Sequence, residues 1–368
     1  MANGEQNIWQ IGTGEAGRRY DDLFLKYDVM LIGPGGHGTY DQSKYADAYE
    51  ADTISKREWD QVARFYHQVQ DGDLVVARRG HEVFAVGIVA DAEVHHDTRF
   101  DDIHGWDVSH YRRVAWLESA SPQLIQLQSN ASSFFSHLRS VATLNRADAT
   151  VLGHVNQFLP LCKKRDLKPL PEEPPEVLND AELASELFNR GVSHSDVTQV
   201  VQAIGKVRNL IRWYQSRSFR DYRPTEHEVV AHLILPIMLS LGWSEQLLAI
   251  EWGKRDLAAF SDVPTNYDNC KLVVEAKSMS HGLKGVVEQA ISYTENLPNC
   301  DKILVTNGLR NFIYTRKSND AGEYFWDTKS PCNYFNLAKL RKAHLCYPGT
   351  NAIDAIVSLK PSSVSRSV

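Results

Sequence analysis

Residues Lys271–Ser278 read KLVVEAKS. The run Leu272–Val274 is apolar and rich in β-branched residues, which marks a strand. Alternate side chains of a strand share a face. Val273, Glu275 and Lys277 therefore lie on one side, and Leu272, Val274 and Ala276 on the other. Glu-x-Lys alone also fits an edge strand with a solvated ion pair, and motifs this short match often by chance. The apolar flanks argue instead for a buried strand. There, a carboxylate beside an ammonium is costly unless something compensates. A divalent cation is one such compensation.

A second acid is needed upstream. Asp256, in KRDLAAF, provides it, with Leu257, Ala259 and Phe260 giving strand character. Taken alone, an aspartate at a strand start is more often a turn residue. Mg2+ takes one or two carboxylates together with waters and phosphate oxygens, and Asp256 with Glu275 suits that set. Further upstream, Thr225 followed by Glu228 forms a capping box that should open a helix. Glu226, Val229 and Leu233 follow one helical stripe, so Glu226 is preferred to Glu228 as a third acid. Pro236 should kink or end that helix. QLLAIEW, KILVTNG and NFIYTRK read as strands, and GLKGVVEQAISYTENL as a helix on which Gln289 and Tyr293 share a face.

This ordered set resembles the PD-(D/E)xK nuclease superfamily, and within it the nuclease domain of type I restriction motor subunits. The resemblance covers RPTEHEVVAHLILPIMLSLGW through ILVTNGLRNFIYT, roughly a quarter of the chain. EQAISY is similar to the Gln-x-x-x-Tyr element of that branch, and the TNG strand followed by an aromatic also looks like it. The resemblance implies an α/β (α+β) domain with a central mixed sheet. It implies Mg2+, or Mn2+ in its place, held by Asp256 and Glu275, with Glu226 acting through a water. Lys277 would orient the attacking water and steady developing charge. Gln289 and Tyr293 would complete the catalytic set, and hydrolysis would leave a 5′-phosphate. The polar stretch SDVPTNYDNC departs from the pattern and is expected to be able to shift Asp256.

The chain has 368 residues, which suggests two domains. A net charge of -6 carries no overall basic signature, so a nucleic-acid surface must be a local patch. Five cysteines without a CxxC pair argue against a disulfide framework or a zinc knuckle. The N-terminus lacks the pattern of a secretory signal, and the apolar runs are too short for a membrane span. A soluble, cytoplasmic protein is expected, in a prokaryotic cell. KPLPEEPPEV, residues 168–177, is an extended Pro-rich linker. The expected organisation is 1–165, linker 166–178, a helical connector 179–222, the nuclease domain 223–350, and a tail 351–368 whose end, LKPSSVSRSV, is expected to be disordered. The connector ends in a basic run, Lys206, Arg208, Arg212, Arg217, Arg220 and Arg223. Such a run is usually a solvated face, yet the first three are candidates for DNA phosphate contacts.

The first 165 residues are strand-rich. YDVMLIG, DLVVARRG, EVFAVGIVADAEV and YRRVAWLE read as strands, REWDQVARFYHQV as a helix, and ASSFFSHLRSV as a second one. GPGGHG, Gly33–Gly38, matches GxGxxG, but TYDQSKYADAYEAD after it offers no apolar helical stripe, so a dinucleotide site is not expected. HEVVAH sets its histidines five apart, about 140° around an α-helix, which is wrong for zinc. His95 and His96 read as solvated. No GxxxxGK[ST] occurs, so no ATP motor is present.

Asn7–Pro160 resembles the EVE domains of the PUA-like superfamily, on NIWQIGTGEAGRRYDD, GDLVVARRGHEVFAVGIV and HYRRVAWL. That resemblance implies a β-barrel with helices that holds a base in an aromatic pocket. A flipped base stacks between aromatic faces and is read at its edges. Trp9, Tyr40, Trp106 and Trp116 are candidates, and Trp106 leads because loop aromatics have less reason to be core. The combined expectation is a modification-dependent restriction endonuclease acting on double-stranded DNA that carries a modified cytosine. A homodimer would supply the two cuts. The alternatives are a repair or recombination nuclease without modification sensing, and a non-catalytic reader of modified nucleic acid.

Overall fold

The computed structural model describes residues 7–15, 18–51, 54–80, 82–117, 125–126, 144–147, 153, 155–215, 224–279, 281–283 and 285–364. The expected helix over ASSFFSHLRSV lies outside them, as do Arg217, Arg220 and Arg223. The chain divides into two compact units, Met1–Glu173 and Pro174–Val368, with the division inside the proline-rich stretch. Both units mix helices with a mixed sheet. No described helix is long and apolar enough to cross a membrane.

In the first unit the strands are β1 Ile8–Gly12, β2 Gly14–Glu15, β3 Arg18–Arg19, β4 Val29–Ile32, β5 Leu74–Arg79, β6 Glu82–Val89, β7 His95–His96, β8 His110–Trp116, β9 Ile125–Gln126 and β10 Leu144–Arg146. The main sheet runs β10-β1-β5-β6-β8-β4, a half-barrel with an open path among the described residues. Among the described residues of this sheet only β1 and β5 pair in parallel. The helices are α1 Asp21–Tyr27, α2 Gln42–Glu50 and α3 Lys56–His67. α3 opens on a capping box formed by Ser55 and Glu58. It buries Gln61, Val62 and Phe65, so the inward stripe is centred beside the Trp59, Val62, Tyr66 line that the periodicity suggests. Beyond the sheet, Arg165 grips the buried Asp28 with two hydrogen bonds of 2.8 Å, and Lys168 N donates to the same carboxylate. The start of the expected linker is thus tied down.

The second unit holds α4 Asp180–Asn189, α5 His194–Gln215, α6 Glu226–Glu228, α7 Leu235–Ser240, α8 Val286–Ser292, α9 Ala352–Ser358 and α10 Pro361–Val364. Its strands are β11 Leu248–Trp252, β12 Arg255–Phe260, β13 Cys270–Ala276, β14 Lys302–Thr306, β15 Arg310–Ser318, β16 Tyr324–Trp326 and β17 Asn333–Asn336. The sheet order is β11-β12-β13-β14-β15-β16, with β17 also on β15. β13 and β14 are parallel, and α8 lies in the connection between them, as a parallel pair requires. Strand alternation splits the core. Leu257, Ala259, Leu272 and Val274 join one cluster with α4, α5, α7 and α9. Ala258, Phe260 and Val273 pack on the other side with Leu297.

Three expectations need correction. Of the expected connector 179–222, the described part, 179–215, is not separate, because Leu183, Leu187, Ile204 and Ile211 share one core with the sheet. The tail up to 364 is ordered: α9 and α10 insert Ile353, Ile356 and Val364 into that core, and proline at the first position suits α10. Pro236 does not end its helix. Residues Val229–Ile234 adopt a π-turn instead, in which Leu235 N bonds Val230 O. A proline ring clashes with the carbonyl four residues back, and the wider turn removes that clash while the helix runs on. Gly308, at φ +80, then brings the β14–β15 turn against this segment; a Cβ there would sit 2.3 Å from Leu233 Cδ1.

Candidate active site

Asp256 and Glu275 come from adjacent antiparallel strands. The register pairs Leu257 with Val274 and Ala258 with Val273. Carried one residue further, it sets Asp256 opposite Glu275. Asp256 Oδ2 accepts from Ala276 N at 2.7 Å, which pins the carboxylate at the end of β13. Lys277 Nζ donates to Glu275 Oε1 at 2.6 Å and stands 3.8 Å from Glu226 Oε1. Glu226 opens α6 and therefore reaches this end of the sheet from the helix N-terminus. Glu228 closes the capping box with Thr225, the capping role that the sequence suggests for it.

The electrostatics tie all four groups together. Burial raises the Glu275 carboxyl above its ordinary range; the Lys277 hydrogen bond opposes this, and the charges of Asp256 and Glu226 add to it. Burial pulls the Lys277 ammonium down, but its bond to Glu275 and the charges of Glu275, Glu226 and Asp256 outweigh that and raise it. Lys277 is thus held as a cation among acids. Among the described residues no three His, Cys, Asp or Glu side chains form a ligand group by themselves. The groups that could hold a metal are the carboxylate pair Asp256 and Glu275. Asp256 Oδ1 and Glu275 Oε2 make no hydrogen bond among the described residues, which suits a hard cation that keeps most of its waters.

Gln289 Nε2 donates to Tyr293 Oη at 2.8 Å, so these two partner each other, and neither bonds the acids or Lys277 among the described residues. The Tyr293 carbonyl accepts from both Nε and Nη2 of Arg255, which also holds Asn296 Oδ1 at 2.7 Å. Sequence reasoning missed Arg255. It is buried, stands next to Asp256, and fixes the end of α8 to the strand that carries the aspartate. Of the basic run, Lys206 and Arg212 are exposed. Arg208 is not available for phosphates, because it bonds Leu337 O, Leu178 O and Asp180. The HEVVAH histidines go separate ways, His227 to Glu251 at 2.8 Å and His232 to Tyr214 at 3.2 Å.

In the first unit the aromatic candidates separate. Trp9 is fully buried, with its indole N–H on Asp73 at 2.8 Å. Trp116 is 2% exposed, stacks on Phe24 and donates to Val29 O. Both are packing residues. Trp106 is half-buried, edge-on to Tyr20. Tyr40 is half-buried and belongs to a larger cluster, with rings 4.9 Å from Tyr45, 5.3 Å from Tyr66 and 5.2 Å from His67. His110 lies beneath it, fully buried. Its Nε2 is 3.0 Å from both Pro34 O and Tyr45 Oη, and its Nδ1 is 3.1 Å from Tyr66 Oη. A carbonyl can only accept, so Nε2 carries the hydrogen and Nδ1 takes the Tyr66 hydroxyl. Burial, helped by the charges of His96 and His37, brings the His110 pKa down to about 4.

This cluster organises Gly33–Gly38. His96, expected to be solvated, is half-buried, and its Nε2 lies 2.8 Å from Gly35 O. His95 pairs with Asp91 and stacks on Tyr111. At Gly35 a Cβ would come within 2.4 Å of Asp107 Oδ1 and 2.5 Å of Ser109 Cβ. The glycine is there for close approach. No helix opens at Gly38; α2 begins at Gln42 behind its cap Asp41. That rules out the dinucleotide fingerprint.

Residues 9–145 match a family described as a domain of unknown function, DUF8426. The match runs from β1 to β10 and leaves the second unit untouched. No curated protein matches the chain.

Proposed function

We propose that the chain is a modification-dependent DNA endonuclease. Its second unit would hydrolyse phosphodiesters with Mg2+ on a PD-(D/E)xK site, and its first, EVE-like, unit would hold a flipped, modified cytosine. The observation that carries the reading is the convergence of Asp256, Glu275, Lys277 and Glu226 at one end of β12 and β13. The free oxygens of Asp256 and Glu275 are the groups that would hold the cation. Bound there, Mg2+ supplies a Lewis acid for the phosphate and lowers the pKa of a water. Lys277 is placed to orient the nucleophile and to meet charge developing on the phosphorane. Glu226 and Glu275 keep its ammonium charged. For the base, Tyr40, Tyr66, His37 and His67 around the glycine loop, with Trp106, offer partly exposed rings. His110 itself is held neutral beneath these rings by burial.

The test is cleavage of matched DNAs with and without modified cytosine, in Mg2+, by the intact protein and by Lys277→Ala. Cutting is expected on modified DNA only, and the variant should bind DNA yet cut at least about a hundredfold more slowly. Wild-type cutting by the variant refutes the active site. Equal cutting of both DNAs removes the reader and leaves the repair-type nuclease.

A further inference from the structure

The tight turn Asn307–Leu309 joins β14 to β15 beside the end of β13 that carries Glu275 and leads into Lys277. The parallel register sets Ala276 against Thr306, and Lys277 N donates to Thr306 O at 2.8 Å. Asn307 is fully buried, and its side chain spends both ends of its amide. Its Oδ1 closes the turn by accepting from Leu309 N and Arg310 N at 3.2 and 2.9 Å. Its Nδ2 points the other way and donates to Met279 O and His281 O at 3.1 and 3.0 Å. Arg310, also buried, adds a second donor to His281 O at 3.2 Å.

The turn by itself asks only for the oxygen. Aspartate closes such turns as asparagine does, but a carboxylate has no hydrogen to donate. The amide is therefore explained by the backbone that it holds, the stretch that follows Lys277. Met279 and His281 belong to no strand or helix, so these bonds fix the path of the chain beyond the lysine. The same turn meets the segment that carries the third acid. A Cβ at Gly308 would sit 2.3 Å from Leu233 Cδ1 and 3.3 Å from Val229 Cγ1, one turn beyond Glu226. One turn thus bears on both elements whose side chains, Lys277 and Glu226, stand 3.8 Å apart.

We propose that Asn307 is a positioning residue for Lys277, anchoring the backbone beyond the lysine so that its ammonium stays between Glu275 and Glu226, where a phosphate would meet it. This rests on the nuclease reading. Asn307 acts through the carbonyls of Met279 and His281, and Arg310 shares the second of them.

The experiment compares the full-length protein with Asn307→Asp, which keeps the acceptor that closes the turn and loses both donors. Asn307→Ser does the same without a buried charge. Hydrogen exchange of peptides 277–283 and 307–313 reads the anchoring. Single-turnover cutting of modified-cytosine DNA in Mg2+, and binding of the same DNA in Ca2+, read the role. Exchange at 277–283 should rise about tenfold, the worth of one or two buried hydrogen bonds, with 307–313 unchanged. Cutting should slow roughly ten- to a hundredfold while affinity for DNA holds. A stretch 277–283 that stays protected in both variants, or wild-type cutting from a released stretch, overturns the positioning role. So do equal losses of binding and cutting, or loss of protection in both peptides alike. Each of these leaves Asp256, Glu275 and Lys277 as the proposed site. A wild-type protein that cuts no DNA sinks the nuclease reading and the positioning role with it.

Discussion

His110 is a histidine that the fold keeps neutral, and that makes the first unit acid-sensitive in a defined window. Its folded pKa, about 4, lies below the ordinary histidine value of 6.5. The unfolded chain therefore takes the proton first. The stability that His110 contributes is complete above pH 6.5 and is lost as pH falls toward 4. A gap of that size corresponds to about 3 kcal/mol in full. Between pH 7.5 and 5.0, above the range where most carboxylates titrate, about 2 kcal/mol of it is lost. In His110→Gln the Tyr45 and Tyr66 hydroxyls lose their imidazole partner, though Tyr45 keeps Pro34 O, so the variant should be less stable at pH 7.5, by about 1–3 kcal/mol. Its further loss on going to pH 5.0 should be smaller than wild type by about 2 kcal/mol.

The assay is urea unfolding of both proteins at the two pH values, with hydrogen exchange of β5 and β6 peptides identifying the transition of the first unit. Imidazole NMR provides the direct check: His110 should remain neutral, with hydrogen on Nε2, at pH 5.0. Parallel pH dependence of the two proteins, or an imidazole that titrates near 6.5, refutes the argument that burial and the Pro34 carbonyl set this tautomer.

Two more outcomes follow from the same geometry. Because burial raises Glu275, loss of the proposed cation site by protonation should set in above the ordinary carboxylate value of 4.5, so Ca2+ binding measured by calorimetry should weaken from a higher pH than a solvated glutamate predicts. Lys277→Met removes the bond that opposes the rise and should move that limb upward; a limb that moves down contradicts the assignment. Gly35→Ala forces a Cβ into Asp107 and Ser109 and should cost about 1–3 kcal/mol, read as a lowered melting temperature of the first unit. A neutral effect would mean that the glycine loop is not packed as described.

What could be read from the sequence is what short-range chemistry decides. The capping box at Thr225 depends on residues three apart, and it forms. The alternation of KLVVEAKS sorts its own side chains, and Leu272 and Val274 do enter one core while Val273 enters another. Residues that function through distant partners gave no such signal. The indole of Trp9 is satisfied by Asp73, and His110 by Tyr45, Tyr66 and Pro34, all from other elements. Nothing local in HYRRVAW distinguishes a buried clamp from a surface histidine. Pro236 was legible as a disturbance, but whether a helix breaks or widens depends on how much apolar surface continues beyond it, here Ile237, Met238 and Leu241 in the core. Arg255 was hidden for the same reason as His110: its partners lie at the end of α8.

At the acid pair, the hydrogen-bond ledger around the site separates structural from available atoms. One oxygen of Asp256 is spent on Ala276 N and one of Glu275 on Lys277. Each carboxylate keeps a second oxygen without a hydrogen bond among the described residues. Glu275 is buried to 2% exposure at a desolvation penalty that raises its carboxyl, while its second oxygen is not among the enclosed atoms without a partner and so reaches the surface. An apolar residue at 275 would pack as Val273 does and avoid the penalty. Polar residues that lower stability in place are expected where a ligand completes the coordination. On the reading proposed above, the free oxygens of Asp256 and Glu275 are the positions a cation would take, between Arg255 on one side and the Thr225 cap of Glu226's helix on the other.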